Sequence, residues 1–137
     1  MAQHSIPQPV LAPPVTGVSG VWKFRREPGG YHRARSLPGH LLHLVLAGSY
    51  RLRTNAREYG IHPLDVIYYH ETEEVEWLGN REAVEFYSVG FLAPDLTPLA
   101  PENRVFPSTL PIRRAFEDLY ATSLTDRDLR RAARIHS

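Results

Sequence analysis

The sequence predicts a single, mainly β domain that forms a sandwich or barrel and ends in helices. The chain has 137 residues, of which 42% are hydrophobic, enough for one core without disulfides or metals. Short β-favouring runs alternate with turn residues between residues 21 and 91, as is typical of sandwiches and barrels. After residue 107 the apolar residues instead recur at helical spacing.

Eight strands are expected, and turn residues such as Pro38, Gly39, Gly79 and Asn80 separate them. They are placed at residues 21–25, 31–35, 40–47, 50–53, 58–61, 66–69, 73–78 and 84–91. Residues 1–20 are rich in Pro, Gln, Ser and Gly, which predicts either an N-terminal arm that docks on something or a disordered tail. Residues 95–107 are interpreted as a Pro-rich connection.

Two helices are predicted within residues 108–137. Ser108 or Thr109 serves as the N-cap of the first, and its apolar face is formed by Ile112, Phe116, Leu119 and Tyr120. The second is expected to begin at Thr125 as N-cap, with Asp128 at the N3 position as in a weak capping box. The chain then stops without a C-cap glycine. This ending favours a fragment of a longer protein, although a terminal helix that frays is the alternative.

Composition and motifs exclude several functional classes. Sixteen basic against 15 acidic residues give a net charge of +1, too balanced for a chain that binds DNA by itself. No basic, apolar leader opens the chain and no apolar run approaches the roughly 20 residues of a membrane span, so a soluble, cytoplasmic protein is expected. There is no cysteine, no Gly-x-Ser-x-Gly elbow, no P-loop and no dinucleotide fingerprint.

A family resemblance rests on residues 40–69. There a strand ends at Gly48, a hairpin follows over a small polar turn, and Pro63, Leu64 and Asp65 form the turn before the next strand. This arrangement resembles the central region of cupin barrels. Residues 22–135, a barrel followed by paired helices, are similar to the N-terminal sensing and dimerisation domain of AraC-type transcription regulators. Leu64 departs from the pattern, because this turn usually carries glycine and a side chain disfavours positive φ.

The resemblance implies a cupin-like barrel over residues 21–94 and a helical dimerisation segment over residues 108–137. The helix-turn-helix domain that contacts DNA in such regulators is absent from this chain. Metal-binding cupins place two His and a Glu in a first motif and a last His in a second, and these positions fall here on Arg35, Leu37, Leu41 and Val75. None of these side chains offers a lone pair to a metal ion, so we expect no metal, no cofactor and no catalytic residue.

An interior without metal ligands suits a small organic effector, either a sugar or an aromatic or carboxylate compound. The candidate ligand-binding residues are Arg35, His43, Trp77, Phe86 and Ser88. Strand alternation places His43 and Trp77 on the inner face if Arg35 is inward, and the resemblance adds Phe86 and Ser88. Arg35 is expected to bind a carboxylate, phosphate or hydroxyl pair, unless it pairs with a glutamate at the rim. Trp77 offers a stacking face.

The favoured function is therefore a non-enzymatic, ligand-sensing domain that forms a homodimer through its C-terminal helices and is not associated with a membrane. DNA would be contacted only through the absent domain. Two alternatives remain. The first is a stand-alone cupin enzyme, such as an isomerase or oxygenase, which would hold stoichiometric metal. The second is a scaffold cupin whose filled interior binds nothing.

Overall fold

The computed structural model describes residues 14–136, and within this range the chain forms nine strands and one long helix. The elements are β1 (Gly17–Arg26), β2 (His32–Arg35), β3 (His40–Ala47), β4 (Tyr50–Thr54), β5 (Arg57–Ile61), β6 (Asp65–His70), β7 (Glu74–Trp77), β8 (Val84–Leu92), a 3-10 turn (Pro101–Asn103), β9 (Val105–Pro107) and α1 (Leu110–His136). All eight predicted strands are confirmed to within a few residues. The start of β1 lies inside the predicted arm, β9 lies inside the predicted connection, and residues 1–13 are outside the described range.

The strands form two antiparallel sheets that face each other. One sheet has the order β1-β8-β3-β6-β9 and the other the order β2-β7-β4-β5. Their inner faces enclose the main core, because alternate side chains of each strand point to the same side. This core contains Leu41, Val45, Tyr50, Leu52, Tyr59, Ile61, Ile67, Tyr69, Trp77, Val84 and Phe86. The predicted β class is confirmed.

A second apolar cluster covers the outer face of the five-stranded sheet. Val21, Leu44, Val66 and Val89 come from four different strands and pack under Phe116 of α1. Tyr120, one turn further along the helix, lies 5.2 Å from the ring of Tyr87. The long helix therefore shields this sheet from water, as its predicted apolar face requires.

The prediction of two helices is wrong, since a single helix runs through residues 110–136. Thr109 does cap its start, because the Thr109 hydroxyl accepts a hydrogen bond from the amide of Ile112 at 3.4 Å. Thr125 is no second N-cap. Its hydroxyl donates to the carbonyl of Ala121, the bond that a threonine makes inside a continuous helix. No glycine or proline follows Pro111 to interrupt the helix, and no helix in the described part of the chain is apolar enough to cross a membrane.

The Pro-rich connection is held against the barrel by one buried cation. The guanidinium of Arg104 lies 2.6 Å from the Glu73 carboxylate, and both side chains are largely shielded from water. Arg104 also donates to the carbonyl of Leu99 and lies over the ring of Tyr68. Since leaving either charge buried alone costs several kcal/mol, this pair favours one position of the connection.

Leu64 adopts the backbone conformation that its side chain disfavours. Its φ is +72°, and the amide of Asp65 donates to the carbonyl of His62, so residues 62–65 form a turn with proline second and a positive φ third. The side chain of Asp65 accepts a further bond from the amide of His62 at 2.9 Å. The turn expected from the sequence is thus formed despite the missing glycine.

We expect Leu64→Gly to stabilise the protein by about 0.5–1 kcal/mol, because relief of the left-handed conformation outweighs the extra freedom of glycine in the unfolded chain. Leu64 is exposed, so little packing is lost. The free energy of unfolding in urea measures the effect. Leu64→Ala is the control, since alanine keeps the Cβ; an equal gain from both variants would contradict the explanation.

Candidate functional site

A cavity opens between the two sheets and consists of two connected spaces. The inner chamber has a volume of about 110 Å³ and the outer mouth about 480 Å³. Arg26, His43 and Phe86 line both spaces, which places them at the junction. The remaining wall of the chamber is mostly apolar and is formed by His32, Ala34, Arg35, Ser36, Leu41, Tyr69, Val75 and Trp77. The chamber alone approaches the ~150 Å³ of an apolar cavity that accepts benzene.

Trp77 is the largest aromatic side chain in this wall. Its ring stacks on Tyr50, with centroids 3.9 Å apart and planes inclined by 15°. The guanidinium of Arg26 lies over the Trp77 ring at 4.4 Å, a distance at which cation and ring attract each other. Tyr50 and the guanidinium of Arg26 therefore cover the two faces of the indole.

Asn80 holds Trp77 in this orientation. Its side-chain oxygen accepts a 2.9 Å hydrogen bond from the indole nitrogen of Trp77. Its side-chain nitrogen donates to the carbonyls of Glu27 at 3.2 Å and Glu82 at 2.7 Å. Main-chain bonds between Asn80 and Gly29 complete the link. One buried amide thus ties the end of β7 to the residue that follows β1, and so positions Trp77 next to Arg26.

Arg26 is one of the cavity residues that the sequence prediction missed. The predicted strand ended at Arg25, whereas β1 runs one residue further and pairs Arg26 with the buried Val84. The side chain of Arg26 consequently faces the interior. Neighbouring Arg25 faces outward, where it forms ion pairs with Glu27 and Glu85. Alternation along Trp22, Phe24 and Arg26 was the signal that could have identified it.

His43 lies between Tyr69 and Phe86, with ring centroids 5.1 Å and 4.7 Å away. Burial, with a smaller effect of the nearby Arg26 charge, lowers the pKa of His43 from 6.5 to about 3. The imidazole is therefore neutral at physiological pH, and it can accept one hydrogen bond and donate another. Burial also raises the pKa of Tyr69, so its phenol stays protonated.

The structure brings four of the five predicted ligand-binding residues to the cavity, though not all in the expected way. His43, Trp77 and Phe86 line it from the inner faces of their strands. Ser88 is buried, but it is not among the lining residues.

Arg35 is among the residues that line the chamber, but it lies on the outer face of β2. It was expected to be inward together with Val75, but the register pairs Arg35 with Glu74 and Ala34 with Val75. Arg35 is exposed and donates to the carbonyl of Thr72 at 3.2 Å. The predicted inward orientation is wrong because the strand alternation is offset by one residue from the assumed positions.

The residues at the four cupin ligand positions do not fit a metal ion. Leu41 is buried in the main core, Leu37 and Val75 pack against that core, and Arg35 is exposed. In the range 14–136 no three His, Asp or Glu side chains come together as metal ligands. Buried His40 has other partners, since its Nε2 donates to the carbonyl of Ala93 at 3.0 Å and its Nδ1 accepts from the hydroxyl of Tyr68.

Comparison with known proteins gives structural neighbours alone, since no family model and no curated protein matches the chain. The structure of Vibrio cholerae ToxT with bound unsaturated fatty acid has a TM-score of 0.53 at 11% identity, over 79% of this chain and 47% of ToxT. Clostridium difficile EutQ has a TM-score of 0.47 at 12% identity, over 57% of this chain and 59% of EutQ. A Bacteroides fragilis cupin has a TM-score of 0.47 at 11% identity, over 69% and 81%. The two antiparallel sheets agree with the predicted sandwich or barrel. The match to ToxT, at 11% identity, shows a likeness of fold alone.

We expect the stability of the protein to fall as pH decreases from 6.5 towards 3, in part because of His43. The unfolded chain binds a proton at His43 in this window and the folded chain does not, so protonation favours unfolding by at most about 1.4 kcal/mol per pH unit. Urea unfolding at several pH values should give a shallower decrease for His43→Gln than for the parent. Identical slopes would contradict the assignment of a neutral imidazole.

Proposed function

We propose that this chain is the effector-binding domain of an AraC-type transcription regulator and that its metal-free cupin barrel holds a small organic molecule. The observation that carries the proposal is the cavity between the sheets. Its chamber has the size of one ring, its wall is largely apolar, and a few polar groups converge at the junction with the mouth. Apolar pockets with a small number of placed polar groups are typical of small-molecule sites.

Two further observations support this proposal. At three of the cupin ligand positions, Leu37, Leu41 and Val75 cannot bind a metal ion. They form an apolar surface that suits an organic ligand. ToxT, whose structure resembles this chain over 47% of the ToxT length, was solved with a bound unsaturated fatty acid, which supports an organic acid as the class of ligand. In our proposal the domain performs no reaction, and binding alone changes the preference of the full regulator for one of its states.

The AraC-type assignment draws on the sequence resemblance and on the position of α1. The first half of the helix packs against the five-stranded sheet, while Leu124 and Leu129 in the second half remain exposed. Exposed apolar side chains on a helix that extends along a domain are suited to an interface with a second copy. Contacts with DNA would be made by a domain beyond this chain.

We expect aromatic acids or sugars at millimolar concentration to raise the melting temperature of the parent chain, because a ligand that binds only the folded state stabilises it. Ala34→Leu places three extra carbon atoms in the chamber and should abolish the shift. Arg33→Leu is the matched control, since Arg33 lies on the same strand but on its outer face, paired with Glu74. A parent that responds to no compound, or an unchanged response in Ala34→Leu, would contradict binding in the cavity. Stoichiometric iron, manganese or zinc in the purified protein would favour the enzyme alternative.

We expect the chain to form dimers at micromolar concentration in sedimentation equilibrium. Leu129→Glu, or truncation after Leu124, should weaken association at least tenfold, because a charge or a deletion removes apolar contact area. Leu110→Glu serves as the control, since Leu110 is an exposed leucine at the opposite end of the same helix. A monomer at high micromolar concentration, unaffected by these changes, would argue against a dimerisation role for the second half of α1.

A further inference from the structure

We propose that Arg26 binds the carboxylate of an aromatic acid whose single ring occupies the inner chamber against Trp77. This inference rests on the proposed ligand-binding function and narrows its ligand class. Arg26 lines both the chamber and the mouth, so its guanidinium stands where a ring in the chamber would carry a substituent. The planar guanidinium can bind the two oxygens of a carboxylate with two parallel hydrogen bonds.

The charge of Arg26 is the first argument. Within residues 14–136 Arg26 forms no ion pair although it is partly buried, whereas the buried Arg104 is paired with Glu73. Other arginines without an ion pair, such as Arg57 and Arg81, are exposed to water. Glu27 is the acidic residue that lines the mouth, and its carboxylate is 2.6 Å from Arg25. A partly buried cation without a counter-ion loses part of its hydration. The Trp77 ring compensates for only some of this loss. A ligand carboxylate would supply the missing charge.

The shape and lining of the chamber are the second argument. Trp77, Phe86 and Tyr69 present aromatic surfaces, and the volume of about 110 Å³ is close to that of a single ring. Aromatic side chains gain energy from offset stacking and edge-to-face contacts with another ring. An acid with one ring therefore fits the chamber, and its carboxylate would lie at the junction beside Arg26.

The same lining disfavours a sugar. Every hydroxyl of a sugar must find a hydrogen-bond partner when it is buried, and each that does not costs on the order of 1–3 kcal/mol. Among the residues that line the chamber, Leu41, Val75 and Phe86 offer none, and the hydroxyl of Ser36 already accepts a 2.8 Å hydrogen bond from the amide of Glu73. Neutral His43 can serve one polar atom at the junction, which suits a single polar group better than a ring of hydroxyls.

The test compares benzoate with benzamide, which has the same ring but no charge, by calorimetry at pH 7. The parent chain should bind benzoate about 10- to 100-fold more tightly than benzamide, the range that a charge-assisted hydrogen bond provides. Arg26→Gln should lose this preference and bind both compounds with the weak affinity of benzamide. Arg26→Lys should retain part of it, because lysine keeps the charge and lacks the planar pair of donors.

Arg33→Gln is the charge control, since it removes a cation from the outer face of the neighbouring sheet and should leave both affinities within about threefold. Equal binding of benzoate and benzamide by the parent, or unchanged benzoate binding in Arg26→Gln, overturns the role of Arg26. If Arg26→Gln does not fold, the parent and Arg26→Lys still decide the question. Binding of neutral compounds or sugars that Ala34→Leu blocks would leave the proposed function standing and reject the anionic ligand. Failure of every compound to bind would reject both.

Discussion

The hydrogen bond from the indole of Trp77 to Asn80 is the interaction on which the arrangement of the cavity depends. Asn80 belongs to neither sheet, yet its buried amide joins the end of β7 in one sheet to Glu27, directly after β1 in the other. Trp77 is thereby held against Tyr50 and under the guanidinium of Arg26. All the polar atoms of this amide are used, which is the condition under which a buried polar group favours one arrangement.

Strand β1 contributes side chains both to the cavity and to the outer face of the domain. The strand lies at the edge of its sheet and carries Arg26 on the inner face and Val21 on the outer face, under Phe116. The carbonyl of Val21 also accepts a 2.7 Å hydrogen bond from Arg127 in the second half of α1. The side chain proposed to contact a ligand and the helix proposed to contact a second copy are therefore attached to opposite faces of one strand.

Most of the fold could be predicted from local patterns. Turn residues and two-residue alternation located eight of the nine strands, because a strand with one buried face repeats that pattern whatever lies opposite. The prediction failed where two local signals competed. Thr125 and Asp128 resemble a helix start, but the same residues are compatible with a helix interior, and nothing between them and Pro111 interrupts the hydrogen bonding. At Leu64 the surrounding turn imposes a positive φ that a residue with a side chain disfavours.

The sequence by itself determined that this chain is mainly β. It also determined that the positions which the cupin resemblance assigns to metal ligands hold no metal-binding side chains, since residue type alone decides whether a lone pair exists. It also indicated His43, Trp77 and Phe86 as interior residues. Only the tertiary structure decided which arginine faces the cavity. Arg35 and Arg26 are both at strand ends, where a shift of one residue in register moves a side chain from the inner to the outer face. The register depends on the partner strand, which sequence periodicity does not reveal. Pairing with Val84 places Arg26 on the inner face, whereas pairing with Glu74 places Arg35 on the outer face.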